Sequence, residues 1–147
     1  MPTPQPVLET VIRKLGGRQA LGQEVTSEAD LARVVSRRIP LKALMHIKRS
    51  GFSDREIERF IIPARTRRHR QGRKEPLTVD ESDRLVRLTR IQALAEDVFG
   101  DAEQANRWLR EGLGIMSGKS PLDVAQTEAG ARVVEQILAK IDWGAAA

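Results

Sequence analysis

Cysteine and tyrosine are absent from the 147 residues, histidine occurs only twice, and aromatic side chains make up 3% of the chain. Without cysteine there is no disulfide framework and no thiolate metal site, and His46 and His69 alone do not assemble a structural zinc centre, so neither metal nor cofactor is expected. Long apolar runs are also missing. Arg or Lys interrupts the candidates every few residues, which excludes a membrane span and a signal-peptide core and points to a soluble, cytoplasmic protein. The aromatics Phe52, Phe60, Phe99, Trp108 and Trp143 fall at expected core positions, leaving no stacking platform for single-stranded RNA. No Ser-His-Asp order is present. The acidic pairs Asp80-Glu81 and Glu96-Asp97 are neighbours in sequence and diverge around a helix, so no enzyme is expected.

Charge is plentiful and unevenly placed. Residues 1–60 carry eleven Lys and Arg against seven Asp and Glu, residues 61–74 carry six against none, and residues 75–147 carry eight against thirteen. A basic first half and an acidic second half suit two different partners, one of them a polyanion. A solvated basic face is the plainer alternative for the cluster at 61–74.

Helical periodicity recurs throughout and no strand pattern is evident, so the fold class is all-α. Val7, Leu8, Val11, Ile12 and Leu15 share one helical face that Gly16-Gly17 ends. Ser27 opens a segment with Leu31, Val34, Val35 and Ile39 in register. Pro40 starts another, in which Leu41, Leu44, Met45 and Ile47 are expected to face inward, and Gly51 ends it. Ser53 and Glu56 form a capping box before Ile57, Phe60 and Ile61, and Pro63 begins the next helix after a tight connection. A short helix, a tight turn and a second helix make the outline of a helix-turn-helix over about 53–74.

The second helix of that pair reads PARTRRHRQGRK. A recognition helix places its first residues against base edges in the major groove, while nearby cations neutralise phosphates. Arg65 and Arg68 share a face and are the candidates for base readout, by bidentate contact to guanine. Thr66 suits a phosphate or a thymine methyl. Arg67, Arg70, Arg73 and Lys74 are phosphate candidates, with His69 as an additional donor. After Ala64 no apolar side chain follows until Leu77, which leaves the helix a thin hold on a core.

Downstream, Thr78 and Glu81 form a capping box for a helix of five to six turns, with Leu85, Leu88, Ile91, Ala95, Val98 and Phe99 along one face and Gly100 at its end. Arg84, Arg87 and Arg90 beside that stripe read as a solvated face, or else as a continued basic edge. Asp101 and Gln104 frame a short helix with Ala105, Trp108 and Leu109 on its apolar side. Thr127 caps a last helix whose expected buried stripe is Val133, Val134, Ile137, Leu138 and Ile141, with Trp143-Gly144 at its stop.

Between these two helices, GLGIMSGKSPLD at 112–123 ends like a nucleotide-binding loop. That pattern needs four residues between its glycines, but Gly114 leaves three before Gly118, Gly112 leaves five, and Pro121 removes a donor just beyond. The stretch reads instead as a helix-to-helix loop followed by a Ser-Pro helix start.

Five motifs now stand in order over 46 residues: Phe99-Gly100, Ala105 with Trp108-Leu109, Ser120-Pro121-Leu122, Thr127 with Gly130, and Ile141 with Gly144. In this pattern the chain resembles the C-terminal toxin-binding domain of Xre/MbcA/ParS-type antitoxins. The likeness extends upstream through LTVDESDRLVRL at 77–88 and loosely into an Xre-like helix-turn-helix. Residues 1–49 match poorly. The resemblance implies a type II antitoxin, usually a homodimer, that binds a RES-domain toxin consuming NAD or transferring ADP-ribose and represses its own operon on operator DNA. It also implies a C-terminal segment that covers the toxin's NAD-binding cleft. A repressor without a toxin is the alternative. The expected division is a helical N-terminal region with the DNA-binding unit at 1–76, and a connecting helix with the toxin-binding domain at 77–147. Trp143 is the candidate anchor at the toxin's active-site mouth, with Gly144, Ala145, Ala146 and Ala147 obstructing nucleotide entry, and Trp108, Pro121 and Leu122 form the neighbouring candidate surface. Family recognition helices commonly carry Leu directly after the Thr. Here that position is Arg67, which puts the packing of the helix in question.

Overall fold

The computed structural model describes residues 5–146, and every described regular element is helical. The chain divides into two compact units, one ending at Val86 and one beginning at Arg87.

The first unit holds α1 (Gln5–Lys14), α2 (Gly17–Leu21), α3 (Glu28–Ser36), α4 (Lys42–Arg49), α5 (Asp54–Phe60), α6 (Ala64–Arg73) and the start of α7 (Val79–Phe99). Its core gathers Val7, Leu8, Val11, Leu15, Leu31, Leu44, Ile47, Phe52, Ile57 and Leu77. The one-turn helix α2 was not expected from the sequence, because five residues are too few for a periodic signal. One expected inward position of this unit is corrected. Met45 is 53% exposed while Leu44 and Ile47 on the same helix are buried. The eight residues of α4 offer only a narrow apolar stripe to the core, and Met45 lies off it.

Capping fixes the helix starts. The Ser27 hydroxyl accepts the Asp30 amide, and the Ser53 and Glu56 side chains exchange both bonds of a capping box. At the far end of α6 the Leu77 amide donates to the Ile39 carbonyl, the Arg38 side chain donates to the Leu77 carbonyl, and the Ile39 amide donates to the buried Ser82 hydroxyl. These long-range bonds pin the connection between α6 and α7.

The second unit contains the rest of α7, α8 (Ala102–Arg110), a 3-10 turn at Gly114–Met116, α9 (Pro121–Val124) and α10 (Glu128–Ala146). Leu88, Ile91, Ala95, Ala105, Leu109, Leu122, Ala125, Val134 and Leu138 form its interior. The Phe99 and Trp108 rings meet at 5.7 Å, and the buried Gln92 donates to Asn106. Val133, expected in the stripe of α10, is instead 43% exposed, because the covered arc of that helix centres on Ala131, Val134 and Leu138. The expected stop at Trp143-Gly144 is likewise corrected. The helix continues to Ala146, since alanines propagate a helix well and a single Gly only weakens it.

The loop that resembles a nucleotide-binding element closes on itself. The amides of Met116, Ser117, Gly118 and Lys119 donate to the carbonyls of Leu113, Gly114, Leu113 and Met116. Those donors are turned inward, so they do not form a phosphate cradle.

Candidate nucleic-acid and partner-binding surfaces

Helix α6 follows α5 across Ile61-Ile62-Pro63, with both isoleucines buried. It has no buried residue of its own. Its arginines divide by face. Arg65, Arg68 and His69 are exposed, and together with Thr66 they line an open concavity of about 520 Å³. These are the two proposed base readers, the threonine and the histidine named from sequence, gathered in one place.

Arg67 and Arg70 point elsewhere. Arg67 pairs with Asp54 at 3.5 Å, and the same carboxylate accepts from Lys48 at 2.8 Å. Arg70 pairs with Glu81, with side chains only 14% and 9% exposed. Glu81 also accepts the Thr78 amide while the Thr78 hydroxyl accepts the Glu81 amide, completing the capping box of α7. The hydrogen bond from Lys48, followed by the charges of Lys48 and Arg67, holds the Asp54 carboxyl below the usual carboxylate range. The expected phosphate role is therefore modified for Arg70, whose guanidinium is engaged inside the fold. Arg73 is exposed, 3.9 Å from Glu75, and Lys74 is exposed with φ +57° at the helix end.

Sequence reasoning missed Asp54 entirely and read Glu81 only as a cap. An acid at each flank of an apolar-free basic helix was the available signal.

Two of the arginines along α7 carry contacts that the sequence did not indicate, although Arg84 is also solvent-exposed as a solvated face requires. Arg84 donates to the Ile61 carbonyl at the end of α5, and Arg87 donates to the Gln126 carbonyl and lies 3.6 Å from Glu128. Both act as structural donors.

In the second unit, Trp143 is 78% exposed on the last turns of α10, so it does not close the intramolecular core. Gly144 is exposed as well, and a Cβ built there meets nothing within 4 Å. The side chains of Ala145 and Ala146 and all of Ala147 lie outside the described residues. Trp108 is half-buried against Phe99. Pro121 and Leu122 are buried, so in the free chain they seat α9 and offer no surface. Ile115, which the sequence did not single out, is 78% exposed at the loop tip.

The motif residues have local reasons. The Thr127 hydroxyl accepts the Gly130 amide at 2.9 Å, and a Cβ on Gly130 would lie 1.8 Å from the Val124 carbonyl oxygen. Ser120 caps α9 by accepting the Asp123 amide, with Pro121 in the first turn. Among the described residues no group of three or more His, Asp or Glu side chains is placed to hold a metal ion, and no helix is long and apolar enough to cross a membrane.

A helix-turn-helix unit that presents cations, followed by a small helical unit with an exposed aromatic on its last helix, defines the class: a two-unit, helical protein with a helix-turn-helix module. Two family models match in the same order. Residues 30–90 match the antitoxin Xre-like helix-turn-helix domain, and residues 94–144 match the antitoxin Xre/MbcA/ParS C-terminal toxin-binding domain. The chain is 30% identical over 132 residues to a protein of Photorhabdus laumondii named Antitoxin Xre, covering 86% of this chain and 87% of that one. An Antitoxin Xre of Pseudomonas putida is 48% identical over 84 residues, 57% of this chain and 53% of the relative, so the match spans about half of that relative's length. A protein of Sphingobium sp. named Prs ADP-ribosylating antitoxin is 31% identical over 80 residues, 48% of this chain and 50% of that one. The chain belongs to the Xre antitoxin family.

Proposed function

We propose that this protein neutralises a RES-class toxin that consumes NAD, using the end of α10, and that it represses its own operon as a homodimer through α6. The observation that carries the toxin reading is Trp143, a large apolar side chain left 78% exposed at the end of a domain whose family is defined by toxin binding. An exposed Trp is costly unless a partner covers it, and Trp is a favoured interface anchor worth about 2 kcal/mol or more. The unobstructed Gly144 beyond it suits entry into a narrow cleft. A relative named for ADP-ribosylation supports NAD chemistry in the partner. A repressor without a toxin has no use for this surface.

Deletion of residues 143–147 tests the tail. The truncated protein is expected to fold and to bind operator DNA, yet to leave the co-expressed toxin's NAD consumption intact. Full neutralisation by the truncated chain would move inhibition to Trp108 and Ile115.

For DNA, the supporting feature is the exposed set Arg65, Thr66, Arg68 and His69. A dimer that neutralises about six to ten phosphates loses roughly a thousandfold or more in affinity between about 50 and 200 mM salt. Titration against the operon's upstream DNA measures this. Affinity indifferent to salt would remove α6 from the interface.

A further inference from the structure

A helix of ten residues is too short to persist by its own hydrogen bonds. In most helices an apolar stripe supplies the missing stability, but α6 buries no apolar side chain. Its ends are fixed by the buried Ile61 and Ile62 before it and Leu77 after it. Between them, two ion pairs from α6 reach across to neighbouring helices, Arg67 to Asp54 at the start of α5 and Arg70 to Glu81 at the start of α7. At 100° per residue, Arg67 and Arg70 lie 60° apart on one side of α6, while Arg65, Arg68 and His69 lie on the other. Asp54 also holds Lys48 of α4, so a single carboxylate ties three helices together.

We infer that Asp54 and Glu81 are positioning residues for DNA recognition: they hold α6 through Arg67 and Arg70, which do not themselves contact DNA, and leave Arg65, Thr66, Arg68 and His69 as the contacting set. This rests on the reading of α6 as the DNA-binding helix. It gives the two acids an unusual role. A carboxylate near a polyanion ordinarily weakens binding, so neutralising it should raise affinity. If Asp54 and Glu81 merely compete with phosphates for Arg67 and Arg70, removing their charge frees those cations and strengthens binding. If they are tethers, removing their charge loosens α6 and weakens it.

The experiment measures operator affinity against salt for the full-length chain and its variants. Glu81→Gln keeps an oxygen for the Thr78 amide and so preserves the cap of α7; Asp54→Asn alters an exposed side chain and leaves the core intact. Both are expected to weaken binding, Asp54→Asn about two- to fivefold and Glu81→Gln about tenfold. Arg67→Met and Arg70→Met should match their partners' losses, with the double variant Glu81→Gln/Arg70→Met no worse than either single one. The slope of log affinity against log salt should stay at its wild-type value in all of them, whereas Arg68→Ala should lower it by about one. Asp54→Glu should restore affinity. Hydrogen exchange should accelerate in α6 and remain unchanged in α3 and α4, which separates a loosened recognition helix from general destabilisation.

Tighter binding by Asp54→Asn or Glu81→Gln, or a slope lowered by about one in Arg67→Met or Arg70→Met, overturns the inference while leaving the DNA-binding reading in place. Failure of that reading looks different: wild-type affinity would not respond to salt, and Arg65→Ala and Arg68→Ala would change nothing.

Discussion

Gly130 and Gly144 sit in one helix under opposite constraints. A Cβ at Gly130 would overlap the Val124 carbonyl oxygen at 1.8 Å, and that carbonyl belongs to α9 and cannot swing aside like a side chain. Gly130→Ala is therefore expected to lower the stability of the second unit by about 1–3 kcal/mol or more, read by chemical denaturation. Gly144→Ala meets open space and should stabilise the end of α10 by about 0.5–1 kcal/mol. The same change should weaken toxin binding if Gly144 enters a narrow cleft. Two carboxylates add a pH dependence. Donation by the Thr26 amide, then by Arg33, holds Asp30 at about 2, and Lys48 with Arg67 lowers Asp54. Because both folded-state values lie below the unfolded ones, the stabilisation they provide is complete above about pH 4 and is lost as pH falls through the folded values. Urea midpoints of the wild type should drop between about pH 4 and pH 2, and Asp30→Asn should flatten part of that drop. An unchanged difference in Asp30→Asn would remove Asp30 as a contributor.

Helix α5 owes its start to Ser53, whose capping box is complete. Ser53→Ala should cost about 1 kcal/mol and should also weaken operator binding, since α5 delivers Asp54 to Arg67. Helix α6 faces its neighbours with charge and not with apolar area. Where the family resemblance implies a Leu after the Thr, this chain has Arg67, which faces Asp54 at 3.5 Å. Helix α10 shows the reverse arrangement: Ala131, Val134 and Leu138 fix its early turns, and its last turns carry exposed side chains.

The two units carry separable activities on this reading, each with its own charge balance. Residues 61–74 hold six cations and no acid, and residues 75–147 hold thirteen acids against eight cations. Arg68→Ala is expected to impair operator binding by about 1–3 kcal/mol and to leave toxin neutralisation unaltered. Trp143→Ala should do the opposite. Operator retardation and NAD consumption, measured on the same two variants, would expose any dependence of one activity on the other.

Much of this was legible in the chain itself. Capping boxes at Ser53 and Thr78, the Ser120-Pro121 start and the Thr127 cap all involve residues at most three apart, so local chemistry placed the helix starts without any tertiary information. The basic helix after Pro63 and the order of the two modules followed from composition, spacing and family likeness. Tertiary packing decided the rest. Periodicity gives a helix an apolar side but not the width of the arc that neighbours cover, which is why Met45 and Val133 emerged at the surface. Six cations within ten residues look equivalent in sequence. Only the approach of Asp54 and Glu81, thirteen and eleven residues from the arginines they hold, distinguishes those built into the fold from those left facing outward, because an ion pair over that distance exists only once the helices have packed.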